Sequence, residues 1–266
     1  MALKKSTYRL LRLLANSEKR SRIVLMLAEK PRSLAELSKK LGSSSSNVLP
    51  QIRKLELEGL VKGDDGTYSL TEFGKLVAEL FSGFLSGIEV IERHKNFWTE
   101  HDISGIPDHL LKRIHELEGC YIIENPPESI YEPHKEFVEN IESSSFVYGI
   151  SSVYHPAYPR MFLELAKSGK DVNLILTDGV FDKVKKKNKG ELKEYLSLEN
   201  TAMHVSRKDV KLAMVVTDRF FSISLYFKNG IYDSSRDLIS FSKTALLWGR
   251  ELFEYCLKTS RRIKSL

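Results

Sequence analysis

The chain has 266 residues, 42% of them hydrophobic, and a formal net charge of +6, which is enough material for two domains with cores of their own. No stretch approaches the roughly 18 uncharged apolar residues that a membrane-spanning helix needs. The first residues carry no apolar signal core, so a cytosolic protein with no membrane partner is expected. Cys120 and Cys256 stand far apart, which excludes a disulfide framework and a zinc ribbon and leaves both as packing residues.

The charge is unevenly spread. Residues 1–75 hold 15 Lys and Arg against 8 Asp and Glu, and the rest of the chain holds 26 against 27. Such polarisation gives one region a face suited to polyanions. Lys4, Lys5, Arg9 and Arg12 open this region and read equally well as extra phosphate contacts or as a solvated, frayed terminus.

A helix is predicted from Ser33, with Ser33 and Glu36 spaced for a capping box and Leu34, Leu37 and Leu41 on one face. Gly42 terminates it. A second helix begins within residues 43–47 and runs to about Glu58, burying Val48, Ile52 and Leu55. Pro50, which lacks an amide hydrogen, is tolerable only near its beginning. Leu60-Val61-Lys62, a turn at Asp64-Asp65-Gly66, and Thr67-Tyr68-Ser69-Leu70 then read as a β-hairpin. Helix, turn, helix and hairpin together make a winged helix-turn-helix over residues 1–75, and duplex DNA is its expected partner. The expected contact residues are Ser44, Ser45, Ser46, Asn47, Gln51, Arg53 and Lys54 on the second helix, with Lys62 on the wing. Short hydroxyls and amides approach base edges and phosphates, and an Arg reaches guanine with two parallel bonds.

Thr71 is placed to cap a long helix from Glu72 to about Trp98, with Leu76, Leu80, Phe84, Ile88 and Ile91 along one stripe. At 1.5 Å per residue it would run about 40 Å, longer than a small domain needs. Gly83 and Gly87, four apart, would admit a second helix at close range. Residues 76–103 are therefore expected to connect and to dimerise the protein.

Residues 104–266 alternate strands and helices and are expected to form an α/β domain. Strands are predicted at 119–123, 146–150, 171–176, 212–217 and 220–227, and helices at 134–141, 160–167 and 243–259. The segment between 146 and 176 is a strand, helix, strand unit, so parallel pairing follows. Lys183, Lys185, Lys186, Lys187 and Lys189 read best as a solvated loop.

The winged helix, the runs YGISSVYHPAYP at 148–159 and NLILTDGVFD at 173–182, and the late VVTDRFFSISLY before a Trp-containing helix resemble archaeal regulators of the methanogenesis-regulatory family. Those proteins pair an ArsR-like DNA-binding domain with a FilR-type middle domain. The second domain also resembles a single, degenerate copy of the phospholipase D fold, whose active enzymes use HxKxxxxD. With Asp218 in the Asp place, the His place is Lys211 and the Lys place is Ala213, so the resemblance implies that the nucleophile is missing and no enzyme is expected.

The whole is then an α/β plus α+β protein: winged helix-turn-helix, connector helix and phospholipase-D-like domain. The expected function is that of a homodimeric transcriptional regulator whose operator binding responds to a small effector. Ser151, Ser152, Tyr154, His155 and Tyr158 lie just beyond a strand's C-terminal end, where α/β domains bind ligands. Lys211, Asp218 and Tyr226 are expected to face the same crevice, Lys211 favouring an anionic effector. His94, His101, His109, His115 and Cys120 share a region without metal-ligand spacing, and no cofactor motif is visible, so neither metal nor cofactor is expected. A phosphodiesterase or nuclease targeted by its winged helix, and an architectural protein that binds DNA without sequence preference, stand as the alternatives.

Overall fold

The computed structural model describes residues 4–126 and 132–266, in two compact units, Met1–Leu85 and Ser86–Leu266. The first unit contains α1 (Lys5–Ala15), α2 (Glu18–Glu29), β1 (Arg32–Ser33), α3 (Leu34–Leu41), α4 (Ser45–Leu57), β2 (Val61–Asp64), β3 (Thr67–Leu70) and the start of α5 (Glu72–Arg93). The strands form a small antiparallel sheet in the order β1-β3-β2. Ile23, Leu37, Val48, Ile52, Leu55 and Leu60 are fully buried and pack together, so the helical apolar spacing does close a core.

Local chemistry sets the boundaries. Ser33 Oγ accepts from the Glu36 amide at 3.2 Å while Glu36 Oε2 accepts from the Ser33 amide at 2.8 Å, a complete capping box at the start of α3. Gly42, at φ 59°, ends α3, and the Ser43 amide reaches back to the Ser38 carbonyl. Asp65 and Gly66 both have positive φ, which gives the β2–β3 hairpin the twist that two-residue turns need. Pro50 lies inside α4; both it and Ser46, whose carbonyl loses its helical partner, are exposed to solvent.

Thr71 Oγ1 accepts from the Gly74 amide at 2.9 Å and so caps α5. Here α5 passes so close to the wing's base that a Cβ on Gly74 would stand 2.0 Å from the Leu60 carbonyl oxygen. Backbone cannot yield as a side chain can, so Gly74→Ala is expected to destabilise the first unit by about 3 kcal/mol. Urea unfolding followed by circular dichroism checks this, and an unshifted transition would contradict it.

The expected helix from 72 to 98 is interrupted. α5 ends at Arg93, and α6 (Lys95–Glu100) follows after His94, whose φ of −116° leaves the helical range. The break is satisfied by side chains: the Trp98 indole donates to the Val90 carbonyl at 3.1 Å, and His94 Nε2 bonds the Cys120 carbonyl oxygen at 2.9 Å.

The second unit continues with β4 (His101–Asp102), α7 (Asp108–Leu111), a 3₁₀ turn at Ile114–Leu117, β5 (Tyr121–Glu124), α8 (Lys135–Glu142), β6 (Phe146–Ser151), α9 (Tyr158–Lys167), β7 (Asp171–Leu176), α10 (Asp178–Lys187), α11 (Lys189–Ser197), β8 (Thr201–Ser206), β9 (Leu212–Thr217), β10 (Phe221–Phe227), β11 (Arg236–Ser240), α12 (Lys243–Leu257) and β12 (Ser260–Ile263). Among the described residues these strands form one sheet in the order β12-β8-β7-β6-β9-β10-β11-β5, with β4 beside β10. The β6–β7 and β7–β8 pairs are parallel and the others antiparallel.

Alternate residues of the sheet serve two layers. One face, through Val147, Leu174, Met203 and Val215, packs on Phe137, Phe162, Phe181 and Tyr195 from α8 to α11. The other, through Ile150, Met214, Val216, Phe221 and Ile223, packs on Trp248, Leu252 and Phe253 of α12 and on Phe97 and Leu110. The lysine run is helix, not loop. Val180, Phe181 and Val184 are buried at helical spacing, so α10 carries Lys183, Lys185, Lys186 and Lys187 on its solvent side near the C-terminus, where cations suit the helix dipole, and Lys189 opens α11.

A buried polar brace fixes the β10–β11 connection. The His101 Nδ1–H donates to the Phe97 carbonyl at 2.7 Å, its Nε2 lies 3.0 Å from Asp233 Oδ2, and Arg236 Nε donates to the same carboxylate at 2.7 Å. This holds the segment that delivers Tyr232 and Asp237 to the face of the sheet covered by α8 to α11.

Candidate functional site

In the first unit, α4 has an apolar and a polar face, with Leu57 at its end left 86% exposed. Val48, Ile52 and Leu55 face the core, while Ser44, Ser45, Ser46, Asn47, Arg53 and Lys54 are exposed. Lys62 is exposed on β2. Not every predicted contact residue is equally available. Ser45 Oγ lies 3.2 Å from Ser38 Oγ, and Ser44 Oγ lies 3.0 Å from Ser46 Oγ. Gln51 Oε1 accepts from Arg20 Nη1 at 2.9 Å, which fixes the amide's oxygen and leaves its donors.

The sequence reading passed over α2. Lys19 Nζ donates to Ser43 Oγ at 3.1 Å in the turn, and Arg20 meets Gln51, so this helix brings one cation to the turn before α4 and another to the middle of α4. The Glu18-Lys19-Arg20-Ser21-Arg22 run was the available signal. The N-terminal arginines are not frayed: Arg9 is in α1, 2.8 Å from Glu58. Asp64 and Asp65 are exposed at the wing tip, where two carboxylates are repelled by phosphate, leaving Lys62 as the wing's cation.

In the second unit a cavity of about 820 Å³ lies on the face of the sheet covered by α8 to α11. It opens because the central strands present Gly149, Ala213, Ser222 and Ser224 there in place of branched side chains. Of the predicted ligand residues, Ser151, Tyr154, His155 and Tyr158 line it. The His155 and Tyr158 rings lie 4.5 Å apart, and burial pushes the Tyr158 hydroxyl well above the usual phenol range.

The other four are placed elsewhere. Ser152 Oγ donates to the Leu212 carbonyl at 2.7 Å and accepts from the Tyr226 hydroxyl at 3.1 Å, so these two bond each other beside the cavity. Lys211 Nζ lies 3.0 Å from Asp102 Oδ2, and its charge is spent there. The Ser104 hydroxyl and amide, with Lys211, hold Asp102 down at about 2. Asp218 accepts from the Ser145 amide at 3.0 Å, at the end of β9 opposite Lys211. The shared crevice expected for Lys211, Asp218 and Tyr226 is therefore not formed. Seven positions along an extended strand carry Lys211 and Asp218 about 23 Å apart.

Sequence reasoning missed the cavity's polar side. Asp237 accepts from Ser224 Oγ and from Ser222 Oγ at 3.4 Å. Burial raises its carboxyl above the ordinary aspartate range in spite of the Ser224 hydroxyl and the nearby His134. His134, at the start of α8, brings Nε2 to 3.7 Å from Asp237 Oδ2. Tyr232 completes the group, its hydroxyl raised by burial. The usable signal was FSISLYF, in which Ser222 and Ser224 alternate with large apolar residues inside a covered strand.

Among the described residues no group of three or more His, Cys, Asp and Glu is placed to hold a metal ion. Among the described residues no helix is long and apolar enough to cross a membrane.

The two units define a winged-helix protein with an appended α/β sheet unit that encloses a cavity. The chain matches the models for the N-terminal domain (residues 8–89) and the middle domain (residues 130–259) of the methanogenesis regulatory protein FilR1, and it belongs to that methanogenesis-regulatory family. It is 27% identical over 255 residues to the methanogenesis regulatory protein FilR1 of Methanothrix harundinacea (strain 6Ac), covering 94% of this chain and 57% of that one. The chain thus spans little more than half the length of its curated relative. Among solved structures it is similar to TrmBL2, an archaeal chromatin protein, at 13% identity and a TM-score of 0.44 over 96% of this chain and 100% of the other. It is also similar to the phospholipase D family member Nuc from Salmonella typhimurium, at 12% identity and a TM-score of 0.39 over 55% and 99%.

Proposed function

We propose that the protein is a dimeric transcriptional regulator in which the exposed face of α4 reads operator DNA and the cavity of the second unit takes a small effector. The observation that carries this reading is the division of α4: a fully apolar buried side, and a solvent side of short hydroxyls, an amide, Arg53 and Lys54 beside Lys19 and Arg20. Surface helices in general carry a polar outer face; what favours DNA is that this one follows a tight turn from α3 and precedes a β-hairpin wing, as a recognition helix does. Family membership supports it.

Dimerisation is supported by α5. Phe73, Leu76, Leu80 and Phe84 are exposed, Leu76 at 70% and Leu80 at 79%. They are spaced three, four and four residues apart, as in a helical seam. Gly87 does not serve that seam. A Cβ there would meet Ile114 and His115 of its own chain at 3.6 and 3.7 Å.

The catalytic reading is weaker. Lys211 and Ala213 occupy the places that a phospholipase D enzyme gives to its His and Lys, so the nucleophile of that motif is missing. Hydroxyl-radical footprinting on the DNA upstream of the protein's own gene tests the regulator. Two protected half-sites about 34–36 Å apart or a multiple of that are expected, and unpatterned protection along the duplex would contradict the reading.

A further inference from the structure

The walls of the cavity are unequal. Phe137, Phe162, Leu174, Leu176, Val180 and Met203 make most of it apolar, while the polar groups gather at Asp237. The two serine hydroxyls already donate to that carboxylate, yet 15% of its side-chain surface remains accessible. His134 beside it is 7% exposed, and its Nε2 makes no hydrogen bond. A buried nitrogen without a hydrogen bond is costly unless something else supplies one. Two acids, Glu132 and Asp237, line the cavity, and among the described residues no Lys or Arg does.

We infer that the cavity takes an apolar molecule whose head is a hydrogen-bond donor without negative charge, an alcohol, amide or amine, with Asp237 and His134 reading that head. The inference rests on the reading of the cavity as the effector site and names its ligand class. The apolar body replaces water against aliphatic and aromatic walls. The head donates to the open lone pairs of Asp237, and a hydroxyl or amide oxygen also accepts from His134 Nε2. A carboxylate or phosphate head is excluded, because it would lose its hydration beside a carboxylate with no cation to replace it. An anionic effector, which Lys211 had implied, has no partner here, since Lys211 is held by Asp102 and does not line the cavity.

The test is calorimetric titration of the full chain at pH 7.5 with 1-octanol, octylamine and octanoate, three probes with one body and different heads. Octanol and octylamine are expected to bind about thirtyfold more tightly than octanoate. Asp237→Asn, which keeps the shape and removes the charge, is expected to admit octanoate to within about threefold of octanol. Ala213→Phe, which fills the void, is expected to abolish binding of all three. Octanoate binding as tightly as octanol to the unaltered protein would overturn the inference, as would no binding by any probe or a preference unchanged in Asp237→Asn. Operator affinity measured with and without bound octanol separates the two levels. An unchanged affinity would sink the effector role and leave the head-group assignment standing, whereas octanoate binding that alters operator affinity would do the reverse.

Discussion

Replacing Arg53 and Lys54 together by alanine is expected to weaken operator binding about a hundredfold at physiological salt and to leave thermal stability unchanged. Both side chains are exposed on α4, and among the described residues neither makes an ion pair or hydrogen bond that folding depends on. A guanidinium bonded to both acceptors of a guanine supplies about 1–3 kcal/mol of discrimination. An ammonium on a phosphate supplies counterion release, so the dependence of log affinity on log salt should become shallower by about one unit. The two contributions separate by experiment. Arg53→Ala alone is expected to lose preference for the operator over scrambled DNA, and Lys54→Ala alone to weaken both equally. Affinity retained in the double variant would move the DNA contact away from α4.

Leu80→Glu combined with Phe84→Glu is expected to convert the dimer into a monomer. Light scattering should show the mass fall from twice 30.5 kDa to the single-chain value. Leu80 and Phe84 are 79% and 53% exposed, and Phe73 and Leu76 extend the same stripe. A contiguous apolar stripe of this kind is rarely left to water in a soluble protein. Two carboxylates buried in a symmetric seam meet their own copies, so the dissociation constant should rise by at least about a hundredfold. Leu80 lies outside the core of its own unit, and Phe84 touches it through one ring stacked on Phe81 at 6.4 Å, so the variant should remain folded with a small loss of stability, and each half-site should be bound without the partner's help. An unaltered protein that is already monomeric, or a variant that stays dimeric, would contradict the assignment.

The winged helix was legible because its signals are local. A capping box, a terminating glycine and a two-residue turn each act within a few residues of chain, and Ser33, Gly42 and Asp65-Gly66 behave as their residue types require. The break at His94 was not legible, since it is stabilised by Trp98 and by the distant Cys120 carbonyl. The lysine run misled for a similar reason: its charges dominated the pattern, while the three apolar residues that dock α10 were few. Strands β8, β11 and β12 were unrecognised because their residues are mixed in polarity, and the partner of β12, β8, lies some fifty residues back along the chain.

The cavity was half legible. Ser151 to Tyr158 follow a strand end, and that topological position is readable from the alternation of elements. Asp237 and His134 come from opposite sides of the domain's sequence and meet only in three dimensions. Lys211 and Asp218 looked convergent because they flank one strand, but a strand carries its two ends apart.

The central claim is that α4 reads a DNA sequence. Fluorescence anisotropy of the full chain on the DNA upstream of its own gene, against a scrambled duplex across a salt series, tests it most directly. The account predicts at least about a thousandfold preference at physiological salt, with the scrambled duplex losing affinity steeply as salt rises. A ratio near one at every salt concentration would contradict the claim and leave a protein that holds DNA by charge alone.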